Sequence, residues 1–547
     1  MSIEAISLKR YRSPRTVIAR FVTRRTAKSA AFWALGFGVY VASKAAGFAA
    51  AYPDAKARAA IASTFGNNVG LDAILGRPRD MSQLAGVTVW NTLGIMTLIG
   101  SIWALLLATR LFRGEEETGR SELLLTGQTT MKQAAINTLI GIAATIGTLF
   151  VVSATAFVLV GQIHTVDFSV SAGIFFALSL SMGTLVFACV GALASQLMPT
   201  RTRAATVSTV ALGIFFLLRA AADTTSATWL ANVTPFGWVD NLRPLYDSRP
   251  LWLVPLFGLA LVLSIATVWL AARRDLGDSV FADKDSARPR YSLLGSAFTS
   301  ALRLTRAKTF GWLLGTTFIA FAFGRLTQSA VTAFNASASS EHVIAKIAKS
   351  AQNETAVAFI GISFFLVMLL MMCYAASAVG AIRDTEAQGY VDNLLVRAVG
   401  RPRWLGGRFL LVILSLLLMG LLATLGVMLG VLGENLGVSN HSLIEAGMNT
   451  LAAPIFTLGV GIGAFGYIPR LTTVLSYSVV GWSFLLEMIS SGLNLNHWLL
   501  DTSVFYHIGL APATNPRWGS AVILIVLGCA CALLGTWRFS KRDLQNE

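Results

Sequence analysis

The stretch LAGVTVWNTLGIMTLIGSIWALLLATRLFRGEEETGRSELLL, residues 84–125, contains the two features that decide the fold. Residues 84–109 include no charged side chain, and this run is long enough for a helix to cross a bilayer core, which needs roughly 20 residues. A short, strongly charged segment follows at once. Similar apolar runs recur along the chain, and the charged segment itself returns once.

The composition excludes a soluble protein. Of the 547 residues, 55% are hydrophobic and 13% are charged, and the mean hydropathy is +0.65. Soluble domains carry about 25% charged residues. So few polar side chains could not cover so many apolar ones in water. The chain is therefore expected to be an all-α, polytopic membrane protein.

We interpret twelve apolar runs as membrane spans. They lie at approximately 29–50, 84–109, 132–160, 169–198, 203–221, 250–272, 308–325, 355–380, 404–433, 446–468, 471–489 and 519–537.

The net charge of +16 is concentrated between these runs and indicates topology more than nucleic-acid binding. With the N-terminus inside, the inner segments contain 31 Lys and Arg against 10 in the outer segments. Cytoplasmic segments of membrane proteins are enriched in positive residues. We therefore expect a multi-pass protein of the plasma membrane with both termini in the cytoplasm, and no nucleic-acid partner.

Three landmarks occur twice, in the same order and at nearly the same spacing. Arg113 to Leu125 returns 270 residues later as Arg383 to Leu395, Pro199 returns as Pro469, and the run from Arg273 to Leu276 returns as Lys541 to Leu544. The order predicts two six-helix repeats, residues 1–278 and 279–547. Because six is even, the repeats are expected to run parallel, related by an axis along the membrane normal.

The repeated loop has an acid, a glycine and a second acid at i, i+3 and i+6. These are Glu116, Gly119 and Glu122 in the first copy, and Glu386, Gly389 and Asp392 in the second. On one short helix they would share a flank, and the glycine would let another backbone approach. A solvated turn with acids at a helix start is the alternative. Because the pattern is kept twice, we favour a docking surface.

The run from Arg113 to Leu125, on a twelve-span duplicated chain, resembles the permease subunits of bacterial ABC exporters of the tetronasin and polyketide-antibiotic type. The resemblance implies a separately encoded ATPase partner in two copies, with ATP and Mg²⁺ bound in that partner and no cofactor in this chain. It also implies that a coupling helix in the loop docks on the ATPase. By position this role falls on Arg113, Glu115, Glu116, Gly119, Arg120 and Glu122, and on Arg383, Glu386, Gly389 and Asp392. The second copy departs from the pattern, with Thr385 in place of an acid and Tyr390 in place of Arg120.

Other motifs point away from an enzyme. No G-x-x-x-x-G-K-[ST] phosphate loop occurs, so ATP hydrolysis by this chain is not expected, and neither HExxH nor a CxxC pair suggests a metal site. Gly461, Gly463 and Gly466 match G-x-G-x-x-G inside an apolar run and, with Gly459, favour close helix packing.

Two charged residues stand near the outer ends of equivalent spans. Arg219 and Glu487 could form an intramembrane pair, and the alternative is that each reaches toward the interface. The segments Trp229–Pro244 and Trp498–Pro512 fit either re-entrant pieces, which the family resemblance implies, or an aromatic belt on a surface loop.

The leading hypothesis is the membrane subunit of an ABC exporter for small hydrophobic or amphipathic drugs and antibiotics. The alternatives are a secondary, ion-coupled multidrug transporter and, less favoured, a membrane-embedded lipid or glycan enzyme. The sequence assigns no substrate-binding residue.

Overall fold

A computed structural model describes residues 14–51, 72, 75–125, 129–281, 292–337, 345–396, 400–434, 436–490 and 496–544. All regular structure within these ranges is helical, which confirms the predicted all-α class. The chain divides into two compact units, Met1–Ala287 and Arg288–Glu547. The predicted repeats divide at 278–279.

The described part of the first unit contains eight α-helices of four or more residues. They are α1 (Pro14–Ala51), α2 (Leu84–Thr109), α3 (Arg120–Leu125), α4 (Met131–Gly161), α5 (Val170–Leu197), α6 (Arg201–Thr224), α7 (Pro235–Leu242) and α8 (Leu253–Ala271).

The second unit contains nine helices within its described residues. They are α9 (Ala297–Ser337), α10 (Ala345–Ala387), α11 (Tyr390–Leu395), α12 (Arg401–Gly430), α13 (Asn440–Asn449), α14 (Ala452–Tyr467), α15 (Thr472–Ser490), α16 (His497–Leu500) and α17 (Trp518–Lys541).

In the described part of the chain, ten helical stretches are long and apolar enough to cross a membrane. They coincide with ten of the twelve predicted spans. The other two predicted spans, 29–50 and 471–489, are helical as well, in α1 and α15, but are not among the ten. The polytopic membrane architecture is confirmed, and the count of twelve stays a prediction.

The same helix pairs pack together in both units. The most extensive contact in the first unit joins α1 to α4, and its counterpart joins α9 to α12. Likewise α2 packs on α5 as α10 packs on α14, and α5 packs on α8 as α14 packs on α17. The outward face of α8 exposes Phe257, Leu261 and Ile265 one turn apart. An apolar face of this kind suits lipid.

Gly459 and Gly466, which lie at and beside the G-x-G-x-x-G match, form a close helix contact, as predicted. A Cβ on Gly459 would overlap the backbone of Gly528, and a Cβ on Gly466 would overlap the backbone of Gly535. Helices α14 and α17 therefore approach at backbone distance. Without a hydrophobic driving force between helices in lipid, close van der Waals contact of this kind stabilises their association.

Candidate functional site: the paired loops

Each repeated loop consists of two helical pieces joined at a glycine. In the first unit α2 continues through a π-helical turn, Arg110–Gly114, and a single turn, Glu115–Glu117, before α3 begins. In the second unit α10 runs to Ala387 and α11 follows. Gly119 has φ +71° and Gly389 has φ +72°, so the two loops bend in the same way.

This geometry gives the glycine a role in the turn itself. No atom lies within 4 Å of where a Cβ on Gly119 would stand, so no second backbone approaches it among the described residues. Glycine is needed here because the left-handed conformation ends one helical piece and starts the next. The amide of Gly119 donates to the carbonyl of Glu116 at 3.0 Å, and the amide of Gly389 donates to that of Glu386 at 2.9 Å.

The carboxylate of Glu116 turns inward and lies between two arginines. Arg113 Nη1 donates to Glu116 Oε2 at 2.6 Å, and Arg274 donates to both carboxylate oxygens, at 3.0 Å from Nη1 to Oε2. Arg113, which is 2% exposed, also donates from Nε to the carbonyl of Pro199 at 2.8 Å. Its other nitrogens donate to the carbonyls of Gly277 and Asp278, each at 2.8 Å.

The second unit repeats the arrangement around Glu386, whose side chain has no exposed area. Arg542 donates to Glu386 through Nη1 at 2.6 Å and Nη2 at 2.8 Å, and Arg383 Nη1 donates at 3.2 Å. Arg542 Nη2 also donates to the carbonyl of Phe465 at 3.2 Å, and its guanidinium lies 5.1 Å from the rings of Phe465 and Phe539.

We call these two clusters the arginine–glutamate clamps: Arg113, Glu116 and Arg274 in the first unit, and Arg383, Glu386 and Arg542 in the second. Each clamp ties the repeated loop to the chain that follows the last long helix of its unit. In the first unit the clamp also holds the turn at Pro199. All three landmarks that the sequence showed as separate repeats are thus parts of one contact in the first unit, and two of them are in the second.

The clamps overturn the expectation that the two acids of each loop share one flank. Glu116 is held inside, whereas Glu122 is exposed beyond the bend at Gly119. Glu386 is buried and Asp392 is half-buried. Burying a carboxylate is costly unless charged donors surround it, and here each has a guanidinium on two sides.

A second group of loop residues remains near the surface. Arg120 is 57% exposed and Tyr390, its counterpart, is 59% exposed. Glu115 accepts from Arg25 at 2.6 Å and lies 3.5 Å from Arg120. We call Glu115, Arg120 and Glu122 with Tyr390 and Asp392 the loop surface. The side chains of the leucine pairs at 124–125 and 394–395 lie outside the described residues.

Sequence reasoning missed Arg274 and Arg542 as members of the site. The signal was present, because the Arg-Asp-Leu run after the last span of each half repeats. It was used only to align the repeats, since periodicity does not show which buried carboxylate an arginine meets.

Arg219 forms a second buried charge cluster within the first unit. It is 1% exposed, and its Nη1 lies 3.4 Å from Asp223 Oδ2 and 3.6 Å from Asp240 Oδ2. Burial raises the pKa of Asp240, while Arg219 and Arg79 act to lower it. Glu487 is half-buried on α15 in the other unit, so the pairing of Arg219 with Glu487 stays a prediction.

The two aromatic outer segments differ. In the first, α7 buries Phe236, Val239 and Leu242, and Phe236 contacts Phe187 of α5 with ring centroids 5.1 Å apart. In the second, α16 is a single turn with Trp498 74% exposed. The first segment therefore contains a packed helix. The second is exposed at Trp498 but buries Val504, Phe505 and Ile508, with the rings of Phe505 and Phe365 4.8 Å apart between centroids. The choice between a re-entrant piece and a surface loop stays a prediction.

Within the described residues, no cluster of three or more His, Cys, Asp or Glu side chains could hold a metal ion.

Comparison with known proteins places this architecture in a family. A family model described as "Multidrug efflux system permease Rv1217c, C-terminal domain" matches residues 19–270 and 294–540, one segment in each half. The chain is 26% identical over 538 residues to the "Multidrug efflux system permease protein Rv1217c" of Mycobacterium tuberculosis, covering 96% of this chain and 95% of that protein. The chain therefore belongs to the multidrug efflux system permease Rv1217c family.

Proposed function

We propose that this chain is the permease subunit of an ATP-driven ABC exporter that moves hydrophobic or amphipathic drugs out of the cell. The observation that carries the proposal is that each unit has the same clamped loop, with a bent backbone held from inside and a set of polar side chains left near the surface. A loop that served only as a turn would not need a buried carboxylate between two arginines.

The energy source is a separate ATPase subunit in two copies, one for each loop, since this chain contains no phosphate loop. ATP and Mg²⁺ bind in that partner. The loop surface contacts the ATPase, and the buried clamps hold the loop in place. Tyr390 replaces the positive Arg120, so the two docking contacts are unequal.

The clamps also give the loops a mechanical connection to the helices. Arg274 follows α8 and Arg542 follows the last turn of α17. A movement of the docked ATPase that displaces a loop would therefore displace the end of the last long helix in that unit. Substrate and nucleotide would then bias one equilibrium between inward-open and outward-open states.

The substrate class follows from the apolar composition and from the family. A largely apolar set of spans suits hydrophobic drugs better than sugars or ions, and the tetronasin and polyketide-antibiotic type is the finer assignment that the loop sequence favours.

A secondary transporter is the second candidate, and the Arg219 cluster favours it. Two carboxylates beside one buried arginine could exchange a proton, which is how ion-coupled carriers use charged groups in membranes. The loop surface would then have no partner to bind.

Transport by vesicles distinguishes the candidates. The purified chain is reconstituted with the proposed ATPase partner, and uptake of a fluorescent hydrophobic drug into inside-out vesicles is recorded with ATP or with a proton gradient. We expect uptake with ATP that requires both subunits. Uptake by the chain alone under a proton gradient would contradict the proposal.

A further inference from the structure

A cavity of about 470 Å³ lies between α1 and α2 near the loop end of the first unit. Pockets that hold small ligands measure roughly 300–1,000 Å³. We call this cavity the arginine groove. It is defined by three arginines at one end and by apolar and aromatic side chains at the other: Arg25, Arg110, Arg201, Trp33, Ile102 and Trp103.

The polar end of the groove has an excess of positive charge. Arg25 is neutralised by Glu115, at 2.6 Å. The side chain of Arg110 forms no hydrogen bond or ion pair with any residue in the described part of the chain. Glu117 accepts from the backbone amide of Arg201 at 2.6 Å, and the guanidinium of Arg201 has no hydrogen-bond or ion-pair partner among the described residues. Guanidinium groups favour phosphate and carboxylate oxygens because they present paired donors.

The other end of the groove is apolar. Trp103 donates to Ser29 at 3.0 Å, which fixes its ring between α1 and α2, and Ile102 is 38% exposed. Trp residues prefer the headgroup level of a bilayer, where one end of a molecule is polar and the other is not. The groove therefore combines an anion-binding end with a surface for an acyl chain.

The arginines of the groove are not part of the repeated plan. The spacing of 270 residues that relates Arg113 to Arg383 places Gly380 opposite Arg110 and Leu471 opposite Arg201. Since the clamp is retained in both halves and these arginines are not, they are not required to build the loop.

We infer that the arginine groove binds an amphiphile with an acidic headgroup, the head held by Arg110 and Arg201 and the apolar body lying against Trp33 and Trp103. The headgroup chemistry is that of an anionic phospholipid in the adjacent leaflet or of a single-chain fatty acid. This inference is independent of the ATPase and of the direction of transport.

Quenching of tryptophan fluorescence by brominated lipids tests it on the purified full-length chain. The chain is reconstituted in phosphatidylcholine with equal fractions of brominated phosphatidylglycerol, brominated fatty acid or brominated phosphatidylcholine. A Trp33→Phe, Trp103→Phe variant defines the groove's share of the signal, because the chain has 13 Trp. We expect the acidic quenchers to be favoured over phosphatidylcholine by about fivefold for each arginine that contacts the headgroup.

Variants separate a specific site from general attraction to charge. Arg110→Gln with Arg201→Gln should abolish the preference, and the Lys versions of both changes should restore most of it. Arg273→Gln, which removes a charge stacked on Trp269 outside the groove, should leave the preference unchanged. Preference for phosphatidylglycerol assigns the site to a phospholipid, and preference for the fatty acid alone assigns it to a single-chain amphiphile. Equal quenching by all three lipids, or equal loss in the Arg273→Gln control, would overturn the inference.

Discussion

Replacing Glu386 with glutamine removes one negative charge from a site that has no exposed area, and leaves two buried arginines facing a neutral amide. The side chains of Arg383 and Arg542 are 9% and 8% exposed, so water does not compensate them fully. Breaking a buried ion pair by removing one partner costs about 3–5 kcal/mol. Because glutamine keeps the shape and one acceptor oxygen, we expect about 3 kcal/mol of lost unfolding free energy.

The corresponding change in the first unit, Glu116→Gln, should lower the unfolding free energy less, by about 2 kcal/mol. Arg113 keeps three carbonyl acceptors at 2.8 Å, and hydrogen bonds to charged groups contribute about 1.5–3 kcal/mol. Adding Arg542→Gln to Glu386→Gln removes one unpaired charge and should recover part of the loss, with a coupling of about 1–3 kcal/mol.

The assay is unfolding of the isolated chain in mixed micelles by titration with dodecyl sulfate, followed by tryptophan fluorescence. The matched control is Asp384→Asn, an exposed carboxylate two residues away on α10, which should change stability by less than about 0.5 kcal/mol. Because no ATPase is present, a loss in Glu386→Gln reports the clamp and not docking. Equal stability of Glu386→Gln and Asp384→Asn would refute the buried clamp.

Two further predictions concern glycines and use the same unfolding measurement. Gly119→Ala should lower the free energy of unfolding by about 1–2 kcal/mol, because a Cβ disfavours φ +71°. The control is Gly147→Ala inside α4, where a Cβ would meet nothing within 4 Å, and it should be neutral or stabilising. Equal effects of the two changes would disprove the turn argument. Gly466→Ala should lower the free energy of unfolding by about 1–3 kcal/mol, because its Cβ would overlap the backbone of Gly535. Gly463→Ala, whose Cβ would stand 3.3 Å from the nearest atom, should lower it less. The reverse order would show that α14 and α17 do not pack as described.

The sequence predicts the membrane architecture because membrane spans are long, uninterrupted apolar runs. They can be identified without knowing which helices they pack against. The duplicated loop was equally visible, since Arg113 and Glu116 recur together as Arg383 and Glu386. The clamps were not visible in the sequence. Arg274 lies 158 residues from Glu116, and the repeated Arg-Asp-Leu run does not show which carboxylate its arginine contacts. The same limit applies to Asp240, which reaches Arg219 from α7 only through the fold.

The loop interpretation also changed for a reason that sequence spacing cannot show. Acids at i and i+6 share a flank only if the helix is continuous, and Gly119 and Gly389 break it. Each loop therefore has a buried part that holds it in place and a part that stays near the surface. In the sequence the two parts belong to a single acidic motif.

Photo-crosslinking at the loop surface shows whether the two loops contact an ATPase. A photoreactive amino acid is placed at Glu122 in the first unit or at Tyr390 in the second, both exposed and outside the clamps, and the chain is co-expressed with the proposed ATPase partner. We expect each position to crosslink to the ATPase, and exposed Leu261 on the outward face of α8 not to do so. Crosslinking from neither loop, in a complex that still transports with ATP, would contradict it.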